Sequence, residues 1–292
     1  MQSMKAVKIG SKLVGEGQPC YVIAEIGINH NGDVELAKKL ISVAVAAGCD
    51  AVKFQKRTLE RVYTAEELAR PRESPFGTTN GDLKRALEFG QEAYAEIDRY
   101  CREVRIPWFA SCWDEEAVDF IDAFDVPCYK IASASLTDHV LLQHTRSKGK
   151  PILLSTGMST LEQIDQAVEV LGKEDLILLH SCSTYPAYYN ELNLRVIPVL
   201  QQRYGVPVGY SGHETGIASS VAAATMGACM VERHVTLDRS MWGSDQAASL
   251  EPNGIMRVVR DIRLVEQSMG DGVKRLLPRE VPIMDKLRRV GK

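Results

Sequence analysis

The sequence predicts a (β/α)8 TIM barrel with an extended loop after its second strand and a short C-terminal tail. Three observations lead there. From residue 21 onward, short apolar runs alternate with longer segments of helical period, and a repeating strand–helix order forces parallel strands with right-handed crossovers. Eight such units can be read off, the number that closes a barrel. A polar residue ends each of the eight runs, where a barrel carries its chemistry. The competing architecture is an open doubly wound sheet, but no Gly-x-Gly-x-x-Gly follows the first strand.

In order, Tyr21–Ile26 reads as a strand and Val34–Ala47 as an amphipathic helix stopped by Gly48. Ala51–Phe54 is the second strand, followed by an irregular stretch. Gln91–Val104 is helical, Trp108–Ala110 is the third strand, Glu115–Ala123 is helical and Pro127–Ile131 is the fourth strand. Asp138–Lys148 caps and forms a helix, Gly149 stops it, and Pro151–Ser155 is the fifth strand. Thr160–Leu171 is the fifth helix, Leu176–His180 the sixth strand and Leu192–Tyr204 the sixth helix. Val208–Tyr210, Gly216–Met226, Met230–His234 and Asn253–Gly270 complete the strand–helix alternation. Residues 56–90 are long for a βα loop, as lids and substrate-binding insertions often are. Residues 1–275 thus read as one barrel domain, and 276–292, with Pro278, Pro282 and a basic end, as a tail.

A chain of 292 residues can bury a substantial core. Its formal charge of −3 argues against nucleic acid as the main partner, because phosphate backbones need a basic surface. Seven cysteines without a CxxC pair do not make a disulfide framework, so reduced thiols in a cytoplasmic protein are the simpler reading. The start at Met1 carries no signal-peptide run, and no segment is long and uncharged enough to span a bilayer.

Two histidines stand out, in Tyr210-Ser-Gly-His213-Glu and Val231-Glu-Arg-His234. Each lies where a β-type run ends and a loop begins, so both could converge at one rim of a barrel. Two imidazoles would leave a metal with positions open for substrate and water; two histidines in separate turns are the alternative. Glu25 closes strand one, Lys53 and Gln55 strand two, and Ser111 strand three. Lys130 and Ser133 close strand four, Ser155 comes at the end of strand five, Ser183 and Tyr185 come after strand six, Ser211 follows strand seven and Glu232 closes strand eight. Two lysines among small hydroxyl residues suit an anion with several oxygens, a phosphate plus a carboxylate. No serine has a base at motif spacing, so nucleophilic catalysis is not suggested. Glu25 fits either a buried ion pair or a general base.

Other residues read as structural. His139 and His144 sit on a polar helix face, and His180 either shapes the site or is a hydrogen-bonded core histidine. Cys112, Cys182 and Cys229 read as small buried fillers. Arg57, Arg61, Arg70, Arg72 and Arg85 read as solvated loop charges, with binding of a substrate phosphate as the alternative.

At these strand ends the chain resembles the sialic acid synthase family, bacterial N-acetylneuraminate synthases and their relatives. The matching stretches are Ile23-Ala-Glu-Ile-Gly-Ile-Asn-His-Asn-Gly32, Ala51-Val-Lys-Phe-Gln55, Tyr129-Lys-Ile-Ala-Ser133, Leu154-Ser-Thr-Gly-Met158, Tyr210-Ser-Gly-His213 and Glu232-Arg-His234, in family order over about residues 20–285. The resemblance implies a (β/α)8 catalytic domain. It further implies condensation of phosphoenolpyruvate with an open-chain aldose, N-acetylmannosamine in the type enzymes, to give a 3-deoxy-2-ulosonic acid and phosphate. It implies a divalent metal, Mn²⁺ favoured with Mg²⁺ or Co²⁺ as alternatives, on His213 and His234. Phosphoenolpyruvate contacts map to Lys53, Ser111, Lys130, Ser133, Ser155, Ser183 and Ser211. Glu25, Gln55, Tyr185 and Asp245 match positions near the sugar or the reacting carbons. A homodimer is the usual assembly.

Three departures lie on the sugar side. Ser135 stands where the type enzymes carry a Glu. The sequence stops at Lys292, ahead of their C-terminal antifreeze-like domain. The Arg-rich 56–90 loop and Trp242-Gly-Ser-Asp245 do not follow their pattern. A related synthase for another or a phosphorylated aldose therefore competes with the type reaction. A barrel that binds phosphoenolpyruvate or a sugar acid without catalysis is a third reading.

Overall fold

The eight expected strands are present and close on one another. The computed structural model describes residues 5–291; Met1–Met4, at the start read above for a leader, and Lys292 lie outside them. The elements begin with β1 (Val7–Ile9), β2 (Lys12–Val14), β3 (Tyr21–Gly27), α1 (Val34–Ala47) and β4 (Ala51–Lys56). An insertion follows, made of α2 (Leu59–Val62), α3 (Ala65–Ala69), β5 (Pro71–Ser74), β6 (Gly77–Thr79) and α4 (Asn80–Leu87). Then come α5 (Gln91–Glu103), β7 (Trp108–Cys112), α6 (Glu115–Asp122), β8 (Tyr129–Ile131), α7 (His139–Ser147), β9 (Ile152–Ser155) and α8 (Leu161–Leu171). The chain continues through β10 (Leu176–Ser181), α9 (Val196–Tyr204), β11 (Val208–Gly212), α10 (Ala218–Thr225), β12 (Met230–His234), α11 (Pro252–Met269) and α12 (Val281–Leu287).

Strands β3, β4 and β7 to β12 form a closed parallel barrel in sequence order, with β12 pairing back onto β3. Closure rules out the open sheet. Every residue of β3, β7, β10, β11 and β12 is buried, as expected where helices cover one side of a parallel sheet and side chains fill the other. Local sequence sets the helices. The Asp33 carboxylate accepts from the Glu35 and Leu36 amides at the start of α1, and Gly48 takes a left-handed φ of 78° at its end.

Four details differ from the sequence reading. An antiparallel hairpin, β1–β2, lies at the end where strands begin: Lys12 pairs with Asp50, which precedes β4, at 2.5 Å, and Gly10 approaches Pro127, which precedes β8. Three-residue strands are too short to show a period, which is why the pattern misses them. The stretch after β4 is ordered rather than irregular: Thr64 and Thr79 form capping boxes with Glu67 and Asp82 at the starts of α3 and α4. The helix expected from Leu192 begins at Val196, because the Leu192 carbonyl bonds His180 and Asn193 has a φ of 44°. The tail contains α12, whose residues are exposed apart from Met284.

Candidate functional site

A cavity of about 240 Å³ opens where the barrel strands end. Glu25, Lys53, Gln55, Ser111, Lys130, Ser133, Ser155, Ser183, Tyr185, Ser211, His213 and His234 all line it. Strand register brings them level. Glu25 pairs with His234 on β12 and with Lys53 on β4, Gln55 with Ser111, Ser111 with Lys130, and Ser211 with Glu232. The barrel's irregularity between Glu25 and Gly27 shifts the register one step, so Gly27 rather than Ile26 faces Phe54. A Cβ at Gly27 would come within 3.1 Å of both Glu25 Oε1 and Gln55 Nε2, so this close approach needs glycine.

The floor is a buried array of two lysines and two carboxylates. Lys53 Nζ lies 3.0 Å from Glu25 Oε2 and 3.5 Å from Glu232 Oε1, and donates to Ser111 Oγ at 2.7 Å. Lys130 Nζ donates to Ser155 Oγ at 2.7 Å and lies 3.9 Å from Glu232 Oε1, which also accepts from the Ser211 hydroxyl at 3.2 Å. Burial opposes every one of these charges, so the partners decide which survive. Lys53 is pushed up despite its burial, because Glu232 and Glu25 flank it. Burial of Glu232 is outweighed by Lys130 and Lys53, which hold its carboxyl down at about 2. Lys130 has less support: burial, aided by Lys53 and opposed by Glu232, lowers it to about 8.

Beside this array stand the imidazoles. The rings of His213 and His234 have centroids 5.5 Å apart, with the Tyr185 ring tilted by 40° against His213 at 4.1 Å. Burial and the neighbouring His234 lower His213 to about 3, so its ring is neutral at physiological pH, the state a ligand needs. Its Nδ1 is bonded to the Cys182 carbonyl at 2.8 Å, which leaves Nε2 available. Buried His234 Nδ1 has no hydrogen-bond partner; Asp245 Oδ2 is 3.7 Å away. Among the described residues no group of three or more His, Cys, Asp or Glu is assembled to hold a metal. The two rings therefore fit a cation that takes its other ligands from substrate and water, rather than a closed structural site.

Of the expected site residues, Asp245 alone is outside the cavity lining; it stands behind His234 instead. Glu232, marked as a strand end but given no role, proves to be part of the floor. Trp113, Ser181 and Met158 also line the cavity and were not anticipated. Ser181 ends β10, so the strand-end rule could have found it; Trp113 and Met158 sit on loops with no such signal.

Ser135 is buried in the turn after β8, while its neighbours Ser133 and Ala134 face the cavity. His180 is a core histidine, bonded to the Leu192 carbonyl at 2.7 Å. Two expectations are corrected. Cys182 is only half-buried, and its backbone carbonyl holds His213. Arg57 is buried rather than solvated, because β4 runs on to Lys56 and carries it inward. There it donates to the side-chain Oε1 of Gln55 and lies 4.4 Å over the Trp113 ring. No helix among the described residues is long and apolar enough to cross a membrane.

Known proteins are similar to this chain in sequence and fold. The human N-acetylneuraminate-9-phosphate synthase is 43% identical over 279 residues, which cover 94% of this chain and 78% of the human protein. The N,N'-diacetyllegionaminic acid synthase of Legionella pneumophila is 35% identical, over 96% of this chain and 82% of that protein. The crystal structure of an N-acetylneuraminic acid (sialic acid) synthetase from Leptospira borgpetersenii superposes with a TM-score of 0.86 at 28% identity, covering 99% of this chain and 100% of that one. The model of the NeuB family matches residues 40–274. With that match and those identities, the chain belongs to the NeuB family and is a sialic acid synthase-like enzyme.

Proposed function

We propose that the chain condenses phosphoenolpyruvate with an open-chain N-acylamino aldose, N-acetylmannosamine or a related sugar, to give a 3-deoxy-2-ulosonic acid and phosphate. The observation that carries this reading is the gathering of two buried lysines, each bonded to a serine, and two imidazoles around one small cavity. Phosphoenolpyruvate presents a carboxylate and a phosphate on one three-carbon unit. Lys53 and Lys130 would bind these oxygens, and Ser111, Ser133, Ser155, Ser183 and Ser211 would complete their hydrogen bonding. Glu25 and Glu232 stand within ion-pair distance of the lysines before substrate arrives.

His213 and His234 would hold a divalent cation, Mn²⁺ by preference, with Mg²⁺ and Co²⁺ as alternatives. Such a cation would supply Lewis-acid polarisation of the aldehyde oxygen. Carbon–carbon bond formation from phosphoenolpyruvate C3 leaves positive charge at C2, where water adds. Glu25, held by Gln55 Nε2 at 2.9 Å and by Lys53, would take that water's proton. C–O cleavage then releases phosphate onto the lysines. Gln55, Tyr185 and Asp245 would meet the sugar. We assign the reaction to the cytoplasm, in keeping with seven cysteines that are all free thiols.

A phosphorylated aldose is the second reading, favoured by the name of the human relative and by exposed Arg70 and Arg72 on the insertion. Phosphate release from phosphoenolpyruvate, measured with Mn²⁺ against a panel of free and 6-phosphorylated N-acylhexosamines, tests both. Release with one class identifies the aldose, and none with any aldose would leave only a binding barrel. His213→Ala or His234→Ala should lower turnover by at least about 100-fold, as should chelation. Near-normal turnover after chelation would refute the metal's part.

A further inference from the structure

A second buried pair adjoins the two histidines and takes no part in the proposed reaction: Glu214 follows His213, and Arg233 precedes His234. Both side chains are 0% exposed. Arg233 Nη1 donates to Glu214 Oε1 at 3.0 Å, to the Gly216 carbonyl at 2.9 Å and to Ser220 Oγ at 2.8 Å. Its Nη2 donates to the Glu214 carbonyl. The Tyr210 hydroxyl donates to Glu214 Oε2 at 2.7 Å. Backbone shape accommodates the pair, since a Cβ at Gly212 would lie 2.7 Å from Glu214 Oε2 and 3.1 Å from Arg233 Cδ. Side chains alternate along a strand, so Arg233 lies on the helix side of β12 while Glu232 and His234 face the cavity.

A buried ion pair is weak evidence for stability, because desolvation offsets most of the attraction. A guanidinium fork instead fixes direction, as its donors are planar and rigidly spaced. Here the fork crosses the seam between β12 and the loop after β11, the two segments that present the imidazoles. His213 is tethered at Nδ1 to the Cys182 carbonyl, but His234 Nδ1 has only Asp245 Oδ2 at 3.7 Å and no hydrogen bond, so the backbone that Arg233 anchors has the larger part in setting its attitude.

We propose that Arg233 and Glu214 are positioning residues that set the His213–His234 geometry for divalent-cation binding. The inference rests on the reading of those two rings as cation ligands. Mn²⁺ is titrated into metal-free protein, with free Mn²⁺ followed by electron paramagnetic resonance, for the parent, Glu214→Gln, Arg233→Met, Tyr210→Phe and a His213→Ala control. Phosphoenolpyruvate binding is followed separately, without metal, by tryptophan fluorescence, since Trp113 lines the cavity. Glu214→Gln and Arg233→Met should weaken Mn²⁺ binding by about 10- to 100-fold, with phosphoenolpyruvate affinity within about twofold of the parent. Tyr210→Phe, which keeps the ring volume and removes one bond to Glu214, should weaken Mn²⁺ by about threefold and decides the matter if the other variants do not fold. Parent-like Mn²⁺ affinity in folded variants, or equal loss of both ligands, overturns the inference alone. Mn²⁺ binding that survives His213→Ala overturns the ligand reading and the inference with it.

Discussion

At the scale of single residues, Lys130 is the floor charge most exposed to pH. Burial lowers it to about 8, so a growing fraction of the free enzyme loses this charge above that value. A bound anion favours the ammonium form, so the pKa is higher with phosphoenolpyruvate present than without it. By linkage, affinity should be level below about pH 8 and fall as pH rises past it. Measuring Kd for phosphoenolpyruvate from about pH 6.5 to 9.5 checks this, and Lys130→Met should bind at least about tenfold more weakly with the dependence gone. A Kd that stays level to pH 9.5 in the parent would contradict the role. The sequence could nominate Lys130 as a strand-end cation. It could not show that Glu232 supports Lys53 more closely than Lys130, because that depends on distances of 3.5 and 3.9 Å across three strands.

At the scale of elements, the turn after β9 shows how tightly loops are packed around the cavity. The Gly157 amide donates to Ser133 Oγ at 3.0 Å, and a Cβ at Gly157 would lie 2.2 Å from Ser183 Oγ and 2.9 Å from Ser133 Oγ. Gly157→Ala must displace both serines. It should cost about 1–3 kcal/mol by denaturant unfolding, and should raise the KM for phosphoenolpyruvate more than it lowers kcat; an unchanged KM would mean these serines do not hold the substrate. Long periodic elements were legible: α1 runs from Val34 to Ala47 with Gly48 as its stop, as the sequence indicates. The insertion was not, because α2, α3, β5 and β6 are each too short to carry a period. Arg57 was misread for a related reason. Its burial follows from two further residues of β4, a difference no local pattern registers.

At the scale of the whole molecule, the C-terminal segment is largely exposed. Among its described residues, Leu276, Leu277, Ile283, Leu287 and Val290 are each more than half exposed. Truncation before Leu276 should therefore leave the barrel's Tm within about 2 °C, since surface changes away from packed features have small effects. A fall of more than about 5 °C would show a packing role. Sedimentation of the same two chains tests the homodimer: loss of the dimer on truncation would place these apolar side chains in its interface, and an unchanged mass would remove them from it.

What the sequence by itself determined was the order of strands and helices, and with it which residues stand at strand ends. Those follow from period, caps and turn residues, all of which act over a few positions of chain. What only the tertiary structure decided was which of these residues share a cavity and in what state of charge. Closure of the barrel pairs β12 with β3, so that His234 stands beside Glu25 from the far end of the chain. The same closure buries Lys53, Lys130, Glu25 and Glu232 together, with each lysine within 4 Å of a carboxylate. Burial and through-space distance are properties of the closed fold, and no local stretch of sequence encodes them.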